Sequence, residues 1–367
     1  MQDTQKMEDI VSQFTDSKEN LSIKPLGAGH INDSFRVIVG DNEYVLQRIN
    51  HSIFKDVEQL QNNIKRVTDH IRNKLVERGT EDIDRKVLTM VPTIDDKLYY
   101  QDGDGNYWRM TIFIKDSKSY DDINPVLANR AGLAFGDFQK MLADLPGGPL
   151  FETIPNFHNM ETRLNSFRQS VHANKVGRLI SVQDLVNEIE ARADDMCRAE
   201  RMYREGTLPK RTNHCDTKVN NILFNSNDEV LCVVDLDTVM PGYVLSDFGD
   251  FIRTGANKGA EDDKDLNNIQ LDLDIFKGYA EGYLQNAASF LTDVEIENLA
   301  FGAKLLTFMQ TVRFFTDYLD GDRYYKIEYG EHNLVRSRAQ FKFLQELENH
   351  YDEMQSIILQ SAEKYKG

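Results

Sequence analysis

Asn213-His214-Cys215-Asp216-Thr217-Lys218-Val219-Asn220-Asn221 is the densest run of chemistry-bearing residues in this 367-residue chain, and it leads into NILF (221–224), NSND (225–228) and EVLCVVDLD (229–237). Two apolar runs around an Asn/Ser/Asp turn predict a hairpin. Phosphoryl transfer to a hydroxyl needs a carboxylate beside the attacking oxygen, ligands for a phosphate-bridging Mg²⁺ and a cation near the transferred group. The H-x-D-x-K-x-x-N spacing from His214 supplies such residues in one loop. Asp216 would orient and deprotonate the acceptor hydroxyl, Lys218 would offset phosphoryl charge, and Asn221 would reach the metal. Asp235, returned by the hairpin, would be the anionic metal ligand. His214-Cys215-Asp216 is no hydrolase triad, because neighbours on an extended loop cannot all aim at one reacting atom.

Upstream, residues 23–114 alternate apolar and polar positions in short runs, SFRVIVG, EYVLQRIN, KLYYQ and NYWRMTIFI, with GDN and DGDGN between some of them. That pattern predicts an antiparallel sheet. Residues 56–77 instead place Leu60, Ile64, Val67, Ile71 and Leu75 at helical spacing, which predicts one helix within the strand-rich region. Gly27-Ala28-Gly29-His30 begins like a dinucleotide fingerprint, but the third glycine is missing and the next segment alternates as a strand. Two readings stand: a flexible cover whose N–H groups lie over nucleotide phosphates, and an ordinary hairpin turn.

After Lys115 the periodicity becomes helical, around 124–145, 159–174, 182–205, 265–290, 293–320 and 333–364. Ser181 with Asp184 and Thr292 with Glu295 have capping-box spacing. The expectation is an α+β chain of two lobes: residues 1–115, an antiparallel sheet with one helix, and residues 116–367, mainly α-helical. KDSKSYDD (115–122) is the polar step between them.

The net charge of −17 repels phosphate backbones and anionic lipid, which speaks against nucleic acid and membrane partners. Three cysteines without CxxC spacing, and an N-terminus without a leader pattern, predict a cytoplasmic protein. No obligate protein partner is implied. DGDGN fails as a calcium loop because Tyr107 and Phe113 stand where Gly and Glu are required, and Glu261-Asp262-Asp263 is expected to be a solvated helix start.

The catalytic segment resembles that of the aminoglycoside phosphotransferase and choline kinase family, relatives of the protein kinases. GAGHINDSF, YVLQRIN, AFGDFQ, D-T-K-x-N-N, VDLDTVMPG, DFGDFIRTGA and R-F-x-T-D-Y-L-x-G-D are most similar, in the same order over nearly the whole chain, to the family's N-acetylhexosamine 1-kinase branch. The resemblance implies a two-lobed protein-kinase-like fold with ATP and Mg²⁺, and transfer of the γ-phosphoryl group to the anomeric hydroxyl of N-acetylglucosamine or N-acetylgalactosamine. It implies phosphate contacts from Gly27, Gly29 and an N-lobe cation. Gln47 stands where relatives carry that cation, with Arg48 next to it on the opposite strand face, so either Arg48 contacts phosphate after a local shift or this lobe relies on backbone donors. It implies sugar contacts from Arg313, Tyr324, Tyr325 (where Trp is expected) and His30, while the tyrosines also read as core. Cys215 replaces a usual Gly. Asp247, although it spells D-F-G with Phe248 and Gly249, is expected to brace the loop. Asp237 is either a residue behind the metal ligands or an outward-facing strand position. Other acceptors (aminoglycosides, choline) and a catalytically inactive ATP-binding module are the alternatives.

Overall fold

The computed structural model describes residues 2–17, 19–27 and 31–366. Its Cα packing divides the chain into two compact units. The first comprises Met1–Ser119, Asp144–Pro155 and Ile222–Met240; the second comprises Tyr120–Ala143, Asn156–Asn221 and Pro241–Gly367.

In the first unit, strands β1 (Ser22–Pro25), β2 (Asp33–Val39), β3 (Asn42–Ile49), β4 (Met90–Val91), β5 (Tyr100–Gln101) and β6 (Tyr107–Ile112) form one sheet in the order β1-β2-β3-β6-β4, with β5 also on β6. All its pairings are antiparallel. Helix α1 (Gln2–Val11) adds Ile10 and Val11 to a core of Val37, Val39, Leu46, Trp108 and Met110. Helix α2 (Val57–Glu77) starts where Asp56 accepts from the Gln59 N–H, and it buries Leu60, Ile64, Val67, Ile71 and Leu75. DGDGN is a turn: Asp102 accepts from the N–H groups of Asp104 and Asn106 and from the Trp108 indole.

Strands β8 (Ile222–Phe224) and β9 (Val230–Val233) are the expected hairpin. It packs within the first unit, where Phe224 bridges to Lys118 and Leu231 and Cys232 share a core with Ile114.

The second unit is helical: α3 (Pro125–Leu142), α4 (Met160–Ala173), α5 (Gln183–Met196), α6 (Arg198–Arg204), α7 (Val244–Gly255), α8 (Leu273–Ala287), α9 (Asp293–Glu297), α10 (Leu299–Asp320), α11 (His332–Asn349) and α12 (Tyr351–Tyr365), with the short strand β7 (Arg211–Asn213). Three expected long helices, 182–205, 293–320 and 333–364, are each broken, at Cys197, Asn298 and His350. The 265–290 segment is helical only from Leu273. Before it, the Asp265 side chain accepts from the Asn267 N–H, and Asp272 caps the helix that follows.

Thr292 and Glu295 form the capping box, but Ser181 and Asp184 do not. The Ser181 hydroxyl donates to the Arg178 carbonyl and Asp184 pairs with Arg338. Glu261-Asp262-Asp263 starts no helix, although Glu261 and Asp262 are solvent-exposed as expected, Glu261 bonded to Arg253 and Asp262 to His332. The α7–α10 contact is close enough to require glycine, since a Cβ on Gly249 would lie 2.1 Å from the Gly302 carbonyl. No helix among the described residues is long and apolar enough to cross a membrane.

Candidate active site

The loop after β7 is held from behind by Asp247, a buried carboxylate in the first turns of α7. One of its oxygens accepts from the Cys215 N–H (2.8 Å), the other from the His214 N–H and the Gln139 amide (2.8 Å each). The Thr217 hydroxyl donates to its backbone carbonyl. Burial raises the Asp247 pKa, and His214 and the donated N–H groups only partly offset this. Asp247 is therefore a brace for the loop. Cys215 has φ +62°, a left-handed conformation that glycine adopts without strain and other residues rarely do. That geometry explains the resemblance to a Gly position, and the thiol is buried.

His214 is packed edge-on against Phe135 and Phe138 and accepts from the Asp216 N–H at 3.3 Å. Its role is to shape the loop. Asp216 projects beyond it, with one carboxylate oxygen 2.9 Å from the Lys218 ammonium and the other accepting from the Asn221 amide at 3.1 Å. Their side chains stay partly open, 25% exposed for Asp216 and 38% for Lys218. Burial works to raise the Asp216 pKa, but the Lys218 charge and hydrogen bond, His214 and Asn221 outweigh it and hold the carboxyl below its usual 3.8. Lys218 is held above its usual value: burial opposes this, and the charges of Asp216 and Asp250 outweigh it. The result is an ionised, accessible carboxylate whose free edge can take a proton from a bound hydroxyl.

Asn221 also donates to the Asp216 carbonyl at 2.8 Å, which turns its amide oxygen into the acceptor end of the side chain. In the first unit, Asp235 follows β9 with φ +59° and starts a 3-10 turn, Leu236–Thr238. Asn221 and Asp235 each offer a hard oxygen of the kind Mg²⁺ accepts.

Because β9 ends at Val233, Asp237 is not an outward-facing strand position. It is 3% exposed, and its carboxylate pairs with Arg109 and accepts from Asn32. Arg109 lies opposite Gln47 in the β3–β6 register and donates to the Gln47 oxygen at 2.9 Å, while the Gln47 amide donates to Ser34. The first unit thus contains a buried cation on β6 that sequence reasoning missed. Its signal was the lone charge in the strand run WRMTIF, whose only other polar residue is Thr111, and such a charge demands a buried partner. Arg48 projects from the opposite face of β3 into an exposed pair with Asp33. Gly27 has φ +67°, and the neighbouring Leu26 N–H donates to the Ser34 carbonyl at the head of β2. Gly29 and His30 lie outside the described residues.

At the end of α10, Asp317 accepts from the N–H groups of Arg323, Tyr324 and Tyr325 at 2.8–3.0 Å, folding the aromatic loop back onto the helix. The Arg313 guanidinium lies 5.2 Å from the Phe157 ring centre and 5.8 Å from that of Tyr325. Tyr325 packs against Phe314, whereas Tyr324 is 61% exposed and so is not core. Planar donors beside aromatic faces are what a sugar ring requires.

The profile of the phosphotransferase enzyme family matches residues 22–283. The chain belongs to that family. Solved structures share the fold of this phosphotransferase. They include choline kinase from Cryptosporidium parvum (TM-score 0.61, 11% identity, 95% of this chain and 97% of that one). A microcompartment-associated aminopropanol kinase (0.57, 14%, 96% and 98%) is another. A third is spectinomycin phosphotransferase in complex with ADP and spectinomycin (0.52, 13%, 97% and 98%). The strand-rich and helical parts of this phosphotransferase are therefore those of a protein-kinase-like fold.

Proposed function

We propose that this phosphotransferase is an ATP- and Mg²⁺-dependent kinase that phosphorylates the anomeric hydroxyl of an N-acetylhexosamine, N-acetylglucosamine or N-acetylgalactosamine. The main support is the ionised, partly open Asp216 carboxylate held between Lys218 and Asn221. Buried His158 is acted on by both charges, Arg313 lowering its pKa and Asp216 raising it. Structures of relatives that hold ADP or AMP favour the nucleotide.

In this proposal Asp216 orients the hydroxyl and takes its proton at a carboxylate oxygen as the attacking oxygen closes on phosphorus. Lys218 offsets the charge of the transferred group. Asn221 and Asp235 hold Mg²⁺, which when bound neutralises phosphate charge. Gly27 and Gly29 cover the phosphates with backbone N–H groups, and Arg48 is the candidate cation beside them. Arg313, Tyr324, Tyr325 and His30 contact the sugar. Residues 1–115 form the nucleotide-covering lobe and 116–367 the catalytic and acceptor lobe of a cytoplasmic enzyme with no obligate protein partner.

ADP release measured with N-acetylglucosamine, N-acetylgalactosamine, choline and an aminoglycoside tests this directly. Turnover is expected with the two acetylated sugars. Turnover with choline or the aminoglycoside alone would reassign the acceptor, and none at all would remove the kinase assignment.

A further inference from the structure

Arg163, near the start of α4, donates twice to the Phe157 carbonyl, at 2.7 and 3.3 Å, while Arg313 lies over the ring of the same Phe157. Among the described residues neither guanidinium has a carboxylate partner: Arg313 donates to the Gln310 amide oxygen, and the nearby Asp317 is occupied by backbone N–H groups and Asn333. In a chain with 60 acidic residues, most arginines here find one, so two like charges packed on one phenylalanine without one are unusual. The placement is also unfavourable locally, because a cation in the first turns of a helix opposes its dipole.

The neighbours feel this uncompensated field. Arg163 is pushed down to about 10, first by burial and then by the Arg313 charge. His158, stacked on Phe157, is pushed down to about 3 by burial and then by Arg313 and Arg163, with Asp216 pulling the other way. A cost of this kind persists where a ligand or a selection against ligands balances it.

We infer that Arg163 is a specificity-determining residue that, with Arg313, makes the acceptor site reject cationic alcohols and admit uncharged or anionic polyols. The inference rests on the proposal that Asp216 is the base beside this site. A quaternary ammonium or protonated amine in the acceptor site proposed around Arg313 and Tyr325 meets two guanidiniums that have no carboxylate partner of their own. Repulsion between like charges at close range is strong enough to exclude a ligand. A neutral hydroxyl or amide carbonyl instead finds donors.

Glucose and glucosamine isolate the charge, since they differ by a hydroxyl against an ammonium below neutral pH. The wild type is expected to phosphorylate glucose with kcat/KM roughly tenfold or more above glucosamine. Arg163→Gln should collapse that ratio toward unity, and Arg163→Lys, which keeps the charge, should preserve it. Equal use of the two sugars by the wild type, or an unchanged ratio in Arg163→Gln, would overturn the inference. Calorimetric binding of the same sugars to the wild type reads the selection without chemistry and without a variant. Weaker glucosamine binding supports it, and equal binding refutes it. Selective binding without turnover would sink the kinase assignment while leaving the charge selection standing.

Discussion

Two carboxylate–cation pairs, one in each unit, divide the labour of the molecule. In the first unit Asp237 and Arg109 are 4–5% exposed at their side chains, and Asn32 and Gln47 take up further hydrogen-bonding capacity. In the second, Asp216 and Lys218 also pair directly but remain 25% and 38% exposed. A sealed pair has no free edge for a substrate, so its work is to hold β6 against the segment after β9. An open pair keeps a charged edge for chemistry, and its brace is moved one layer back to Asp247. Burial therefore separates an architectural ion pair from one left open, as the proposed catalytic pair requires, even where both join an aspartate to a cation.

Breaking the open pair should cost activity and spare the fold. Asp216→Asn is expected to lower kcat about 10³-fold while thermal unfolding still shows one cooperative transition; near-normal turnover would show that another group is the base. Breaking the sealed pair should do the reverse. Arg109→Met strands a buried carboxylate and is expected to cost about 3–5 kcal/mol in denaturant unfolding, with Arg109→Met/Asp237→Leu recovering most of that loss. If the double variant is no more stable than the single, the pair is not the sealed unit described here.

The pH response sharpens the same contrast. Because the folded Asp216 carboxyl lies below its usual value of 3.8, its contribution is complete above the unfolded value and is lost as pH falls through the folded one. The stability difference between wild type and Asp216→Asn should shift against the wild type as pH falls from neutral into that range. A difference that is flat with pH would show the carboxyl is not depressed.

The smallest effect belongs to a third pair, Arg48–Asp33, exposed on both sides. Arg48→Ala should change stability by less than ~1 kcal/mol and, if Arg48 meets phosphate, raise the KM for ATP roughly threefold to tenfold. An unchanged KM would place the phosphate contact elsewhere.

Much of this was legible because it is local. Period-two runs marked β2, β3 and β6, and period-3.6 spacing marked α2. The Asn/Ser/Asp turn marked the hairpin, and the 213–221 spacing marked the loop proposed to react. The failures share a cause too. Ser181–Asp184 has the letters of a cap, yet both side chains found better partners elsewhere, and Glu261 and Asp262, exposed as expected, open no helix and pair instead with Arg253 and His332 from α7 and α11. The long helices broke at single residues that no spacing rule marks.

The amino-acid sequence by itself determined the element types, the loop chemistry around Asp216 and the family, because hydrogen-bonding propensity, hydrophobic period and motif spacing are properties of neighbouring residues. Only the tertiary structure decided which charges are sealed and which are open. It paired Arg109 with Asp237 across 128 positions, brought Arg313 over the ring of the Phe157 whose carbonyl holds Arg163, and assigned the hairpin to the first unit by a division between Asn221 and Ile222. Burial and electrostatic compensation depend on residues far apart in the chain, and no local pattern encodes them.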